Sequence, residues 1–237
     1  MLGLISNAFS GLSNVSKRLQ NSANNLSNVL TSGFKKGQVN TVGNKAGGTG
    51  VNSISKVNTQ GGFLPTNNPL DLAIQGNGFF QVANSNGTTS FTRSGSFSLD
   101  GAGQMVDSSG NPLMPAINIP FDNNGISVSY EGQVFAQTPD GTVALGQIQL
   151  ASFTNPSGLS EAGGNLFNES AESGAPAIGI PGEGGNGTVL SGFLEGSNVD
   201  ITEEMVDQIA TRATFKANFK VIKANDEMLG SLIDIKK

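Results

Sequence analysis

The 237-residue sequence contains neither cysteine nor histidine. Without these residues the chain has no disulfide, no thiol nucleophile, no histidine-based triad and no ligand set of the common zinc sites. Charged residues are only 13% of the chain and aromatic residues 6%, whereas glycine reaches 33 residues. No segment approaches the roughly 18 to 20 uninterrupted apolar residues of a membrane span. At a net charge of −5, no basic run is long enough for a nucleic-acid surface.

The few motifs that resemble chemical sites are weak. The stretch 182–187 matches the GxGxxG phosphate pattern, but it follows proline and precedes TVLSGF instead of a helix, so we interpret it as a loop. The stretch 122–125 lacks the later acidic ligand of a calcium loop and is interpreted as a turn. Arg93, a lone cation among strand residues, is interpreted as a partner that fixes a loop or strand edge. We expect no enzyme activity, no cofactor and no metal, because no acid, base and oxyanion site come together.

The C-terminal stretch from Ile201 to Ile235 is predicted to be one long helix. Asp200 and Glu203 stand at capping-box spacing before it, and Lys236 and Lys237 follow it. One apolar stripe takes Met205, Ile209, Phe215, Phe219, Ile222, Leu229 and Ile233. A second takes Val206, Ala210, Ala213, Ala217, Val221, Ala224, Met228, Leu232 and Ile235. Two stripes require at least two neighbours.

The N-terminus offers one such neighbour. Ile5, Leu12, Leu19 and Leu26 recur every seven residues, which is heptad spacing, and Gly33 is predicted to cap the end of this helix. An ordinary two-helix packing inside a monomer is the simpler interpretation. The two helices carry more apolar surface than they can hide on each other, however, and this favours self-assembly. We therefore predict a coiled-coil-like pair of terminal helices that becomes ordered on assembly.

Between the helices the hydrophobic period changes from 3.6 to 2. Residues 35–62 are rich in glycine, asparagine and serine and are predicted to be a flexible or extended connector. Turn pairs such as Asn86-Gly87 and Asp140-Gly141 separate short strand candidates at 71–74, 78–82, 90–93, 96–99, 104–106, 126–130, 133–137, 143–153 and 188–193. Residues 170–188 are predicted to be a loop.

The fold class is therefore α+β: terminal amphipathic helices with an inserted antiparallel all-β domain. The predicted domains are an N-terminal helix at 1–34, the connector at 35–62, a β-rich domain at 63–196 and a C-terminal helix at 197–237. The start of the sequence lacks the basic region and continuous apolar core of a cleavable signal peptide. We expect a protein that is cytoplasmic or that leaves the cell by a route without such a signal.

Five motifs, in order along the chain, resemble those of the bacterial flagellar rod and hook family. Residues 23–28 (ANNLSN), followed by Thr31, Gly33, Phe34 and Lys35, are similar to its ANNLAN and TxGFK signature, with Ser27 in place of alanine. The other four motifs are DLAIQGNGFF at 71–80, FTRSGSF at 91–97, LEGSNVD at 194–200 and DEML at 226–229. The family's TQRAY-like run departs here to Thr211-Arg212-Ala213-Thr214-Phe215, with the arginine displaced by one place.

The resemblance implies a structural subunit whose terminal helices pack with neighbouring copies into the inner tube of a helical polymer, with the β domain outside. It implies export without a cleavable signal through the flagellar type III apparatus, a periplasmic place in the axle, and contacts with other rod and hook subunits and with ring proteins. The expected assembly interface is Ile5, Leu12, Leu19, Asn24, Asn25, Leu26, Asn28, Gly33, Phe34, Ser197, Asn198, Val199, Met205, Ile209, Phe215, Phe219, Ile222, Leu229 and Ile233.

Within the family, residues 146–148 through 173–176 look most like distal rod proteins. The connector is shorter than theirs, so a proximal rod protein, another rod paralogue or a short hook-type subunit stay open. From other classes, a secreted β-rich binding module or adhesin is the main alternative, and a carbohydrate-active enzyme that uses carboxylates is a weaker one.

Overall fold

A computed structural model describes residues 2–44, 47–84 and 86–234 of the chain. The chain divides into two compact units. The first, the helical unit, comprises Met1–Val29, Lys36–Val57 and Val199–Lys237. The second, the β body, comprises Leu30–Lys35 and Asn58–Asn198. Each unit is built from segments far apart in the sequence.

The N-terminal helix, α1, spans Leu2–Ser27. The prediction that Gly33 caps it is wrong, because α1 ends six residues earlier and Gly33 belongs to the β body. The early end has a local cause. The Ser27 hydroxyl donates to the Ala23 carbonyl at 2.8 Å, and the Asn28 amide donates to the Asn24 carbonyl at 2.8 Å. Such side-chain bonds compete with the backbone ladder and favour a helix end.

A β-hairpin follows α1 in the helical unit, within the stretch predicted as a connector. Its antiparallel strands are β1 (Gly37–Gly43) and β2 (Thr49–Lys56). The Asn25 side chain of α1 holds the first strand in place, donating to the Gly37 carbonyl at 3.0 Å and accepting from its N–H at 2.8 Å. Asn14 donates to the Thr49 hydroxyl at 3.3 Å. Polar side chains thus fasten the hairpin to the helix.

The C-terminal helix, α2, spans Ile201–Asp234, so Ile235 of the predicted helix lies outside the described residues. The Asp200 carboxylate caps its start by accepting from the N–H groups of Thr202 at 2.7 Å and Glu203 at 3.2 Å. These bonds satisfy backbone N–H groups of the first turn, which have no partner within the helix. Acidic residues in that turn interact favourably with the helix dipole.

The strands of the β body are short, and all of their pairings are antiparallel. They are β3 (Phe63–Pro65), β4 (Leu72–Gln75), β5 (Phe79–Ala83), β6 (Thr89–Thr92), β7 (Ser98–Leu99), β8 (Met105–Val106), β9 (Leu113–Met114), β10 (Gly125–Val128), β11 (Gln133–Thr138), β12 (Gly141–Gln147), β13 (Leu150–Ser152), β14 (Ser160–Gly163), β15 (Leu166–Asn168), β16 (Ala177–Gly179), β17 (Thr188–Ser191) and β18 (Phe193–Glu195). A 3₁₀ turn lies at Pro156–Gly158.

The largest sheet of the β body has seven strands in the order β14-β15-β6-β5-β13-β16, with β9 also paired to β5. A second sheet joins β10, β11 and β12, and the pairs β17-β4, β18-β3 and β7-β8 complete the described strands. Fully buried side chains from several of these sheets, including Leu72, Phe80, Val134 and Leu150, form one core. A smaller aromatic cluster surrounds Phe79.

The α+β class with two helices and an inserted antiparallel β domain is confirmed. The strand predictions agree in place with β4 to β8, β10, β11 and β17. The single strands predicted at 143–153 and 188–193 are wrong in extent, because the first is divided into β12 and β13 and the second into β17 and the start of β18, which belong to different sheets. The prediction that 170–188 is entirely loop is wrong, because β16 pairs there with β13. The sequence between the two prolines here, AIGI, is too short for its alternation of apolar residues to indicate a strand.

Candidate functional site

Three of the sequence motifs meet in a buried charge cluster inside the β body. Glu195 lies in β18, Arg93 directly follows β6, and Lys35 ends the short segment after α1. One carboxylate oxygen of Glu195 lies 2.5 Å from Lys35 Nζ, and the other lies 3.3 Å from an Arg93 guanidinium nitrogen. The side chains of Lys35 and Glu195 are 1% and 0% exposed. The cluster therefore joins the start, the middle and the end of the β body.

Backbone groups complete the coordination of this cluster. Lys35 Nζ also donates to the Thr59 carbonyl at 2.9 Å, and the Gly61 N–H donates to Glu195 at 3.1 Å. The Arg93 guanidinium donates to the Gly76 carbonyl at 2.7 Å and lies 5.2 Å from the centre of the Phe79 ring. Buried charges require such partners, because an unpaired one is strongly destabilising.

Burial dominates the electrostatics of the cluster. Burial lowers the pKa of the Lys35 ammonium group, and the adjacent Glu195 carboxylate opposes this without reversing it. Burial likewise lowers the pKa of Arg93 against the pull of Glu195. The Glu195 carboxylate is closed off from solvent, and the arrangement fixes three segments of the chain to one another.

The glycine of the GFK motif allows the chain to pass close to the segments that carry Arg93 and Glu195. Gly33 has φ +70°, and its N–H donates to the Glu195 carbonyl at 2.7 Å. A Cβ at this position would collide with the backbone of Arg93 and Ser94. Glycine is the residue that combines the left-handed conformation with so close an approach.

A second polar cluster fixes the start of α2 in the helical unit. Asn25 donates to the Glu204 carboxylate at 3.0 Å, and Lys36 lies 3.0 Å from Glu203 and 3.3 Å from Glu204. Burial lowers the pKa of Lys36, but the hydrogen bonds that its ammonium group donates to the carboxylates of Glu203 and Glu204 outweigh this effect, so that the pKa is raised. Asn25 thus joins the hairpin and both helices.

The face that α2 turns towards α1 is polar. Glu204, Thr211, Asn218 and Asn225 recur every seven residues; Asn218 is half-buried and the other three are buried. The helices run antiparallel, with Asn25 against Glu204, Ser22 against Gln208 at 3.3 Å, and Arg18 paired with Asp207 at 2.5 Å. Within the described part of the chain, buried oxygens of Asn14, Thr211 and Asn225 have no hydrogen-bond partner. Unpartnered buried oxygens are costly.

The apolar side chains of α2 are largely exposed instead. Ile209 is 69% exposed, Val206 62% and Phe219 56%, and further exposed apolar residues on the helix are Ile201, Met205, Phe215, Val221 and Met228. On α1, Phe9 is 69% exposed. So many exposed apolar side chains on one helix are typical of a protein interaction site.

The predicted interface residues fall into four groups. The exposed ones are Asn24, Met205, Ile209, Phe215 and Phe219. The half-buried ones are Leu12, Leu19, Leu26, Asn28, Ser197, Asn198 and Ile222. The ones already buried within the single chain are Asn25, Gly33, Phe34 and Val199. Ile5, Leu229 and Ile233 lie on the helices, and their side chains are outside what the structure describes.

Sequence reasoning identified Arg93 as a charge partner but missed Lys35 and Glu195. One signal in the sequence could have indicated an acidic partner for Arg93. It is the single basic residue between Asn58 and Asn198, where eleven acidic residues occur. The segment 182–187 forms turns between β16 and β17, without a following helix. In residues 2–44, 47–84 and 86–234, no group of acidic side chains is arranged to hold a metal ion. Neither described helix is long and apolar enough to span a membrane.

Comparison with known proteins gives a consistent result. Residues 73–136 match the family model for the flagellar hook protein FlgE/F/G D1 domain, and residues 190–235 match that for the flagellar basal body rod FlgEFG protein C-terminal region. The flagellar basal-body rod protein FlgG of Bacillus subtilis is 36% identical, with 100% of both chains covered. The same protein of Borreliella burgdorferi is 36% identical over 100% of both chains. That of Buchnera aphidicola subsp. Baizongia pistaciae is 39% identical over 89% of this chain and 90% of its own.

Both matched regions contain motifs described above: the first includes Arg93, and the second includes Glu195 and α2. The chain therefore belongs to the bacterial flagellar rod and hook family, a structural family not known for enzymes, as a rod subunit of the basal body that is most like the distal rod protein FlgG.

Proposed function

We propose that the chain is a subunit of the flagellar axle that polymerises helically through its terminal helices. In the polymer, helices of neighbouring copies associate in a coiled-coil-like manner to form an inner tube, and the β body lies outside it. The tube transmits torque and encloses the export channel. The observation that supports this proposal is the apolar surface of α2, which the single chain leaves exposed.

The apolar surface of α2 is large enough to drive association. Eight large apolar side chains of α2 are at least 40% exposed. Burying the exposed half of such a side chain gives on the order of 1 kcal/mol, so the helix alone contributes roughly 8 kcal/mol per copy before the cost of association. That cost is of similar size for one partner. Contacts with several neighbours, as in a helical polymer, are therefore needed for a stable assembly.

The helix pair of the single chain has polar contacts that assembly can improve. Three buried side-chain oxygens, one on α1 and two on α2, are unpartnered, although the described apolar residues of α2 lie mostly on its other faces. We propose that neighbouring copies order and tighten this pair by covering the apolar faces. The exposed part of the predicted interface, with Ile209 and Phe219 at its centre, makes the contacts between copies.

The remaining partners follow from the same proposal. The subunit is exported through the flagellar type III apparatus and takes its place in the periplasmic part of the axle. Its neighbours are other rod and hook subunits, and ring proteins surround it. An adhesin or secreted binding module is not favoured by any contact described above.

The test is a pair of full-chain variants with matched controls. Ile209→Ser and Phe219→Ser remove apolar surface from α2 and are expected to abolish polymers seen by electron microscopy and sedimentation, and to abolish motility in cells. Phe121→Ser and Ile178→Ser change equally exposed apolar residues of the β body, at 70% and 56% exposure, and are expected to polymerise normally. Circular dichroism checks that all four variants fold. Normal polymers from the two α2 variants contradict the proposal.

A further inference from the structure

The charges of α2 are arranged in blocks along the helix. Acidic residues gather at its start, at positions 200, 203, 204 and 207. The next charged residues are all basic, namely Arg212, Lys216, Lys220 and Lys223, and no acid interrupts them. Acidic residues then return at positions 226, 227 and 234. At pH 7 the helix thus carries a negative, a positive and a second negative block.

The basic block is free to meet a partner. Its four side chains are exposed, and steps of four, four and three residues place them on one face of the helix. In the described part of the chain Arg212, Lys216 and Lys220 have no ion-pair partner within 4.0 Å, and Lys223 has only the weak pair with Glu227 at 3.8 Å. Ile209 continues the same face one turn earlier and is itself exposed. The basic face therefore continues into the apolar face of the proposed interface.

Two of the acids at the start of the helix have partners in their own chain. Glu203 pairs with Lys36, and Asp207 pairs with Arg18. Their side chains are nevertheless 69% and 37% exposed, so they still present negative charge to the outside. Asp226 and Glu227 in the second acidic block are exposed as well.

Charge complementarity between blocks selects one arrangement of neighbouring copies. In a helical polymer all copies point the same way along the axis, so neighbouring α2 helices that follow the axis are parallel. Without an axial shift, the basic block of one copy faces the basic block of the next. A shift of about 14 residues places residues 200–207 of one copy beside 214–221 of the next, and 212–220 beside 226–234. At about 1.5 Å per residue this shift is roughly 20 Å.

We propose that the charge blocks of α2 fix the axial stagger of neighbouring copies at roughly 20 Å. This inference rests on the proposed function. The partner is a second copy of this chain, and the contact is between its acidic blocks and the basic block. A shift of 14 residues is also two heptads, so it keeps the same apolar faces in contact. Like charges opposed at other shifts disfavour the alternatives, as charge pairs do when they set register in coiled coils.

Charge reversal with complementation tests this arrangement. Arg212→Glu/Lys216→Glu and Asp226→Lys/Glu227→Lys each oppose like charges at the proposed stagger, and each alone is expected to raise the critical concentration for polymerisation by about tenfold or more at low salt. An equimolar mixture of the two variants restores opposite charges between position 212 of one copy and positions 226 and 227 of the next, and is expected to have a lower critical concentration than either variant alone. Glu183→Lys, on the β body, is the control and is expected to polymerise like the wild type.

Crosslinking measures the stagger directly, because the chain has no natural cysteine. Copies with Val206→Cys are mixed with copies carrying Val221→Cys. These positions are 15 residues apart along α2 and therefore lie nearly level at the proposed stagger. Disulfides between the two kinds of copy are expected to outnumber those between identical copies.

Each outcome has one meaning. Failure of the wild type to polymerise at any salt concentration refutes the proposed function and this inference together. If the wild type polymerises, three results each refute the stagger and leave the proposed function standing. They are normal assembly of both reversal variants, no rescue in the mixture, and crosslinks mainly between identical copies. The neutral variants Arg212→Gln/Lys216→Gln and Asp226→Asn/Glu227→Gln, with smaller expected effects, guard against misfolding as the cause.

Discussion

Replacing Glu195 by glutamine tests the role of the buried charge cluster most directly. Glutamine keeps the shape of the side chain but removes its charge. Lys35 and Arg93 then stay in the interior as two cations without an anion, since their side chains are 1% and 6% exposed. Breaking a buried pair in this way costs about 3 to 5 kcal/mol. For a unit of this size, such a loss lowers the melting temperature by roughly 6 to 20 °C.

The pH dependence gives the same prediction a second, independent signature. The pKa of Lys35 is already below its value in the unfolded chain, because burial disfavours the ammonium form. Between the folded and the unfolded pKa, the unfolded chain binds more protons, so stability rises with pH in that range. Loss of Glu195 removes the main group that raises the pKa of Lys35. The folded pKa of Lys35 therefore falls further, and the pH range over which stability rises extends to lower pH. The stability difference between variant and wild type is therefore expected to shrink as pH approaches about 10.5.

Urea unfolding followed by circular dichroism measures both effects. Glu183→Gln, the same change at the exposed loop 182–187, is the control and is expected to alter stability by less than about 0.5 kcal/mol. The double variant Lys35→Met/Glu195→Gln removes one of the stranded cations and is expected to recover part of the loss. A Glu195→Gln variant within about 0.5 kcal/mol of the wild type, at neutral pH, contradicts the reasoning.

Three further predictions concern backbone closure and helix capping. Gly33→Ala is expected to destabilise the β body by at least about 1 kcal/mol more than Gly87→Ala in urea unfolding, because both glycines have positive φ but a Cβ at Gly87 meets nothing within 4 Å; equal effects contradict the steric argument. Hydrogen bonds from the N–H groups of Glu203 and Thr202 lower the pKa of Asp200, so the contribution of this cap to the stability of α2 is present above about pH 3.8 and is lost as pH falls through the folded pKa. Helix content measured by circular dichroism is expected to fall in this pH range in the wild type. The variant Asp200→Asn keeps a cap that does not titrate, and its helix content is expected not to fall in this range. The raised pKa of Lys36 predicts the opposite pH dependence for the helical unit: its contribution to stability is present below about pH 10.5 and is lost above it. The variant Lys36→Gln is therefore expected to lose less stability than the wild type above this pH in urea unfolding, and an equal loss contradicts the pairing.

The elements of the fold were largely predictable because they have local signals. The 3.6-residue period and the cap at Asp200 identified α2, and turn pairs with alternating residues identified most strands of the β body. The hairpin at Gly37–Lys56 was missed because glycine and asparagine dilute its alternation, and its attachment through Asn25 depends on a helix elsewhere in the chain.

The candidate sites were harder to predict because they depend on contacts between distant residues. Hydrophobic stripes show which faces of α2 avoid water but not which partner covers them. In the single chain the face of α2 towards α1 carries Thr211 and Asn225, whereas Ile209 and Phe219 are left for other contacts. The roles of Lys35 and Glu195 were not visible because no periodic pattern links residues 160 positions apart.

That separation has a consequence for how the polypeptide acquires its shape. Lys35 and Glu195 can meet only after almost every intervening residue has become available, and the Gly33 to Glu195 backbone bond has the same requirement. Contacts of such long range are slow to form, since the loop must close before they stabilise anything. A molecule threaded N-terminus first through a narrow conduit would therefore stay open for most of its passage, and these contacts would close only when about its last fifth remained to emerge.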